Sequence, residues 1–271
     1  MTSPDPVAAH YGLGGLRARI EAALDDRDDD RPLSEADLSG AAEFHIGGRA
    51  ATQHLVDRLS LRAGDRVLDL GSGLGGTARF TAATTGAEVV GIDLTPEFVE
   101  VASWLSELTG LADCTSFRVG SAVELGPDLV GFDAATLLHV GMNIANKAAL
   151  ARSAAAALSP GGRFAIYDVM AGPNRDSLEF PVPWASESAT SHVTPASSYV
   201  DALEAAGFVI DDVEDRSEWA LAALQQRPGA RRSSLNLGLV MGPDTPTKVA
   251  NMRSNLAAGR IAPTVIVAHR R

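Results

Sequence analysis

VLDLGSGLGG, residues 67–76, is the stretch on which the reading of the fold turns. The run RVLDL at 66–70 enters a turn that holds Gly71, Gly73, Gly75 and Gly76. Glycine reaches positive φ and lets backbone approach a ligand closely. The stretch therefore reads as a buried strand, a glycine turn, and a helix running to about residue 85. Upstream, 49–60 has a helical pattern and Gly64-Asp65 makes a turn. Downstream, 88–92 reads as a second strand, and Pro96 opens a helix that ends near Gly110. Strands follow at 116–119 and 132–139, then a helix at 145–158 stopped by Ser159-Pro160-Gly161-Gly162. A fifth strand is expected at 163–169, a helix at 195–206, a strand at 208–213, a helix at 247–258 and a last strand at 264–268. Strand–helix alternation at this spacing means a doubly wound, mainly parallel α/β sheet with helices on both faces. The final helix and strand suit a late hairpin at the sheet's edge.

The turn fits two glycine patterns with different ligands. Gly71, Gly73 and Gly76 match the Gly-x-Gly-x-x-Gly dinucleotide fingerprint. Asp69 followed by Gly71, Gly73 and Gly75 matches Asp-x-Gly-x-Gly-x-Gly. Charge separates the two. A carboxylate two residues before the first glycine repels a pyrophosphate at the helix N-terminus. S-adenosylmethionine carries a sulfonium and an α-ammonium, so its reactive end is net cationic and suits Asp69. Asp93 ends the second strand and would accept hydrogen bonds from ribose hydroxyls with either ligand. A nicotinamide-dependent oxidoreductase stays the remote alternative.

Composition narrows the partners. The chain has 271 residues, with 23 basic against 34 acidic side chains and a net charge of −11. That balance argues against nucleic acid and against an anionic membrane surface. No apolar stretch approaches the roughly 18 residues that span a bilayer, and the start, MTSPDPVAAHYG, lacks a signal-peptide pattern. One cysteine, Cys114, makes no internal disulfide, which suits the cytoplasm. Cys114 sits beside Asp113 with no adjacent cation and reads as inert. The acidic run Asp25, Asp26, Asp28, Asp29, Asp30 lacks calcium-loop spacing and reads as a solvated loop between two helical patterns. The histidines show no metal spacing, so no metal is expected. The implied partner is a small molecule, and the chain is expected to be a monomer or a homodimer.

The chain resembles the class I S-adenosylmethionine-dependent methyltransferases, and more closely the sarcosine/dimethylglycine N-methyltransferase group. HYGLGGLRARI (10–20), EFHIGGRAAT (43–52), VLDLGSGLGGTARF (67–80), GIDLTPEFVEVA (91–102), HVGMNI (139–144) with Lys147, SPGGRFAIYDV (159–169), FPVPWA (180–185) and NLAAGRIAP (255–263) carry the resemblance nearly end to end. It implies a seven-stranded Rossmann-like sheet with an antiparallel last strand. The chain is expected to divide into an N-terminal arm over residues 1–48 and a methyltransferase domain over 49–271; within it 171–198, rich in Pro, Ser and Trp, breaks the strand–helix alternation and reads as a lid or else a mobile segment. Position by position, the resemblance places Asp69, Gly71, Ser72, Gly73 and Gly75 at the methionine end of the cofactor, and Asp93 and Leu94 at the ribose. The Gly120-Ser121-Ala122 turn meets the adenine, and Leu138-His139 lie behind the methyl group. The chain departs from the group at Ser121, where relatives usually have Asp, and at Ala42, where they usually have an acid.

Methyl transfer needs a nucleophile opposite the leaving sulfur, roughly 3–3.5 Å from the methyl carbon. A neutral amine needs no dedicated base, whereas an alcohol or phenol does. His139, at the carboxyl edge of the fourth strand, is the first candidate base or positioner; a pocket-shaping role weighs nearly as much. Tyr11, in the glycine-rich arm, is the candidate that folds over to meet it. His45 is a second lid candidate, with a local helix-capping role about as fitting. Trp184 offers either a cation–π wall or ordinary packing. A substrate carboxylate would need an arginine fork, and Arg49, Arg175 and Arg231 are the candidates. The expected reaction is N-methylation of a small amine such as a glycine derivative. The alternative is O- or C-methylation of a specialised metabolite.

Overall fold

A computed structural model describes residues 14–25, 31–225 and 235–271. Seven strands form one sheet: β1 (Arg66–Leu70), β2 (Glu88–Asp93), β3 (Thr115–Val119), β4 (Phe132–Leu138), β5 (Leu158–Ala171), β6 (Phe208–Asp215) and β7 (Ile261–Arg270). Their order is β3-β2-β1-β4-β5-β7-β6. The first five run parallel, and β7 is antiparallel to both β5 and β6. The order reverses between β1 and β4, and open α/β sheets bind ligands at the carboxyl edge of such a switch point.

Alternation along the strands sorts the core into two layers. Leu68, Leu70, Ala135, Leu137, Phe164 and Ile166 face α6 (Lys147–Ala157) and α7 (Ala196–Ala205). Val67, Ala134, Leu138, Ala165 and Tyr167 face α3 (Gly48–Asp57) and α4 (Gly76–Thr85). Asp69 and Thr136 are cross-strand partners with the parity of this second face. A third cluster covers the carboxyl edge. It joins α1 (Leu16–Asp25), α2 (Glu35–Ala42), Leu74 of the glycine turn, α5 (Pro96–Leu108) and the short α9 (Gly238–Met241). A fourth joins Ile46, Met142, Val182 and Trp184 to α8 (Ser217–Gln225) and α10 (Thr245–Ala257).

Several expected boundaries move. The helix expected at 145–158 is α6 and ends at Ala157; the Ser159–Gly162 segment continues β5, with a register irregularity against β4. Strand β7 runs from 261 rather than 264 and lies inside the sheet, leaving β6 at the edge. Pairing to neighbours on both sides lengthens it beyond its apolar centre. The expected break at 171–198 corresponds to the irregular chain after β5, which has two single turns, Arg175–Ser177 and Ser188–Thr190. This chain is tied down along α10: Asn255 Nδ2 donates to the Glu179 carbonyl, Glu179 N donates back to Asn255 Oδ1, and Asn251 Nδ2 donates to the Pro181 carbonyl, each at 2.9 Å. Among the described residues no helix is long and apolar enough to cross a membrane.

The arm meets the glycine turn at Gly76, the first residue of α4. A Cβ there would sit 2.5 Å from the Ala42 carbonyl oxygen at the end of α2. Alanine gains roughly 1 kcal/mol over glycine in a helix, but a backbone oxygen at that distance cannot move without shifting α2. Gly76→Ala is therefore expected to destabilise by about 1–3 kcal/mol, measured by urea unfolding; equal or greater stability would mean that α2 packs elsewhere.

Candidate active site

The carboxyl ends of β1, β2 and β4 open into a cavity of about 290 Å³. One half is built by the glycine turn and the two strand-end carboxylates. Gly71, Gly73 and Gly75 all have positive φ. At Gly71 a Cβ would also strike Val140 at 2.3 Å, so only glycine fits. Gly71 N and Ser72 N both donate to the Ile92 carbonyl, stitching the turn to β2. Asp93 then pins it: Oδ2 accepts from Gly73 N and Oδ1 from Thr95 N, both at 2.9 Å. The Thr95 side chain also hydrogen-bonds this carboxylate, which keeps lone-pair capacity for a ligand hydroxyl. Leu94, Ser121, Ala122 and Leu138 complete this half.

Asp69 lies under the turn and is 2 % exposed. Thr136 Oγ1 donates to its Oδ1 at 2.8 Å, while Oδ2 is buried without a partner. Burial, and then the charge of Asp93, push its pKa up to about 7. A buried carboxylate oxygen without a donor is costly and fits a cationic ligand group. The residues present therefore suit S-adenosylmethionine, with Asp69 toward its cationic end, Asp93 toward the ribose hydroxyls and the turn's backbone between them.

The other half is mostly apolar. Phe44, Met142, Pro183, Trp184, Met241 and Met252 line it, with His45, His139 and Asn143 as polar groups. Met142 and Asn143 sit on the turn Gly141–Asn143, which a buried lysine clamps. Lys147 Nζ donates to the carbonyls of Gly141 (2.8 Å), Ile144 (2.6 Å) and His192 (2.9 Å) and lies over the Tyr199 ring. Burial lowers its pKa to about 8, against the opposing pull of Asp168. Trp184 is buried in the fourth cluster while facing the cavity, and its indole N–H donates to Ser191 Oγ at 3.0 Å.

His139 follows β4 at φ 53°, with its backbone N–H donating to the Tyr167 carbonyl. Its ring packs 5.0 Å from Tyr167 and 5.9 Å from His45, and its Nε2 is buried without a partner. Burial, then His45, hold its pKa well below the ordinary histidine value. Burial also holds His45 down, to about 4, so both rings are neutral near pH 7. Tyr11 and Arg231 lie outside the described residues, as do Asp26, Asp28, Asp29 and Asp30 of the acidic run. Arg49 is paired to Glu35 and stacked on Phe80, and Arg175 is exposed beside Asp176. Among the described residues no arginine or lysine lines the cavity. Sequence reasoning missed Thr136, whose role depends on cross-strand register, and Met241 and Met252, which enter from the far end of the chain.

A family model described as a methyltransferase domain matches residues 45–213. The chain belongs to this methyltransferase domain family. Erythromycin 3''-O-methyltransferase of Saccharopolyspora erythraea is 31% identical over 66% of this chain and 61% of its own length. Phosphoethanolamine N-methyltransferase 1 of Triticum aestivum is 32% identical over 70% of this chain and 37% of its own. The chain thus spans less than two thirds of these two relatives. The 27-O-demethylrifamycin SV methyltransferase of Amycolatopsis mediterranei is 32% identical over 68% of this chain and 72% of its own. The fold is also that of geranyl diphosphate C-methyltransferase from Streptomyces coelicolor (TM-score 0.71, 18% identity, full coverage of both chains). A putative sarcosine dimethylglycine methyltransferase from Galdieria sulphuraria matches at TM-score 0.65 and 16% identity, over 94% of this chain and 98% of that one.

The raised pKa of Asp69 carries a stability cost. Between pH 3.8 and about 7 the folded chain holds a proton that the unfolded chain has released, so stability falls as pH rises through that window. Asp69→Asn removes this dependence. At pH 8 the cofactor-free variant is expected to be more stable than the parent by on the order of 2–4 kcal/mol, with little difference at pH 4. Parallel urea titrations at the two pH values check it; a variant that is less stable at pH 8 rules out an unsatisfied Asp69.

Proposed function

We propose that the chain methylates a hydroxyl group on a neutral, largely apolar small molecule. The observation that carries this reading is the acceptor wall: methionines, Trp184, Phe44 and Pro183, two neutral imidazoles, and no cation among the described lining residues. A glycine derivative brings a carboxylate, and phosphoethanolamine brings a phosphate. Either would be buried here without the charged partner such groups require. The expected small-amine substrate therefore has less support than the alternative of a specialised-metabolite alcohol or phenol. Two O-methyltransferase names among the relatives point the same way.

S-adenosylmethionine, when bound, supplies an electrophilic methyl carbon on a positively charged sulfur that keeps the electron pair of the breaking bond. The protein's share is to hold the acceptor, exclude water and take a proton. Methionines adapt to irregular apolar shapes, so Met142, Met241 and Met252 orient the body of the acceptor. Asn143 donates its amide to the Trp184 carbonyl at 2.9 Å and keeps its own carbonyl oxygen for the acceptor. His139, the base expected from sequence, and His45 both line the cavity uncharged, and one of the two rings accepts the hydroxyl proton as it becomes acidic.

Methyl transfer to a panel of apolar alcohols and phenols, with glycine, sarcosine, dimethylglycine and phosphoethanolamine beside them, tests the reading. Turnover is expected among the hydroxyl compounds. Turnover of the amines alone would sink it. Cofactor binding adds an independent check on Asp69. Binding to the carboxylate form must first remove the proton, so calorimetric affinity should weaken up to about tenfold per pH unit below pH 7. Asp69→Asn should bind more weakly and without that dependence; a flat profile in the parent would remove Asp69 from the cofactor's cationic end.

A further inference from the structure

Behind the acceptor wall lies a chain of polar groups that the cofactor half does not use. His45 Nε2 lies 3.1 Å from the Gly48 carbonyl oxygen and 2.9 Å from Thr52 Oγ1. A carbonyl only accepts, so Nε2 carries the proton. The ring's lone pair is therefore on Nδ1, which no protein group engages among the described residues. Thr52 is fully buried, and its hydroxyl donates to Glu43 Oε1 at 3.3 Å. Glu43 is 5 % exposed, and its Oε2 is buried without a partner. The three groups form one directed line, from the cavity to a sealed carboxyl.

We infer that His45, rather than His139, is the proton-accepting ring, and that Thr52 and Glu43 form a relay that carries the proton away from the cavity. This rests on the hydroxyl reading above. The acceptor O–H gives its proton to His45 Nδ1. The Nε2 proton passes to Thr52 Oγ1, and the Thr52 proton passes to the Glu43 carboxylate. The acceptor oxygen uses the freed electron pair for its new bond to carbon. Glu43 ends neutral; after product leaves, His45 Nδ1 gives its proton to water in the cavity and the Glu43 proton returns through Thr52 to Nε2, which restores the starting tautomer. No buried imidazolium remains, which matters because burial strongly disfavours one at this site. His139 has no such exit, since its sealed Nε2 meets no acceptor.

The charges around the relay suit the direction of transfer. Glu43 faces Thr52 and Arg49 of α3, Glu35 of α2 and Arg79 of α4. Burial dominates and lifts its pKa to about 7, well above His45 at about 4, so the proton comes to rest on Glu43. His45 faces His139 after β4 and Tyr167 of β5, both uncharged at neutral pH. In this assignment His45 is the catalytic residue, and Thr52 and Glu43 are positioning residues.

Nitrogen-15 NMR of histidine-labelled full-length protein tests the relay without any acceptor. His45 should be protonated at Nε2, and its nitrogen shifts should register a titration near pH 7 that belongs to Glu43. Thr52→Val and Glu43→Gln should erase that inflection, and Thr52→Ser should restore it. With a hydroxyl acceptor from the panel, Thr52→Val should lower kcat about 100-fold with the KM for S-adenosylmethionine unchanged, and Thr52→Ser should recover most of it. A proton on Nδ1, an inflection that survives Thr52→Val, or undiminished kcat in that variant overturns the relay. Loss of the relay alone leaves hydroxyl turnover in place. Turnover of amines only, beside an intact NMR coupling, overturns the hydroxyl reading and the catalytic role assigned here to His45.

Discussion

A carboxylate held out of water beneath a glycine turn is the constraint around which this protein is arranged. Asp69 sits on β1 beside Thr136 on β4, where the strand order reverses. One oxygen is satisfied by Thr136 and the other by nothing in the described chain. The site is thus left one donor short, and the proposed cationic ligand would supply that donor. The turn must stay open for that ligand. Glycines with positive φ allow this, and Asp93 fixes the turn from the next strand. The geometry of the cofactor half follows from two carboxylates on adjacent parallel strands and a backbone with no side chains in the way.

The acceptor half obeys a different logic. Its wall is assembled from the segment before α3, the turn after β4, the irregular chain after β5, and α9 and α10. None of these is held by the sheet's own ladder. Buried polar clamps do the holding instead: Lys147 on three carbonyls, Asn255 and Asn251 on the chain around Glu179 and Pro181, and His45 on Gly48. Each clamp joins segments far apart in sequence or closes a tight turn. Substrate choice can therefore change by altering the wall while the sheet and the cofactor end stay fixed, as expected where function lives in sites carried on a common fold.

The elements that read well from sequence were those whose apolar pattern is set by the sheet. RVLDL and the glycine turn are where the pattern placed them, as are the strand leading to Asp93 and the helix opened by Pro96. Strand β7 was harder, because its ends are paired by neighbours on both sides and need no strong pattern of their own. No element is expected from sequence between 213 and 247, where α8 and α9 lie. Those helices are short, and their apolar residues are spent on contacts with α1, α10 and Trp184 rather than on one continuous stripe.

Sequence by itself determined the doubly wound sheet, the glycine turn and the sign of charge beneath it. These depend on local pattern and on residues close together in the chain. It supplied the imidazoles His45 and His139 as candidates but not their chemistry. Tertiary structure alone decided that Asp69 keeps an unpartnered oxygen, that both rings are neutral, that no described cation faces the acceptor, and that Glu43 lies at the end of a line from His45. Each of these depends on burial and on which distant side chain arrives within hydrogen-bond reach. Neither is written in spacing along the chain.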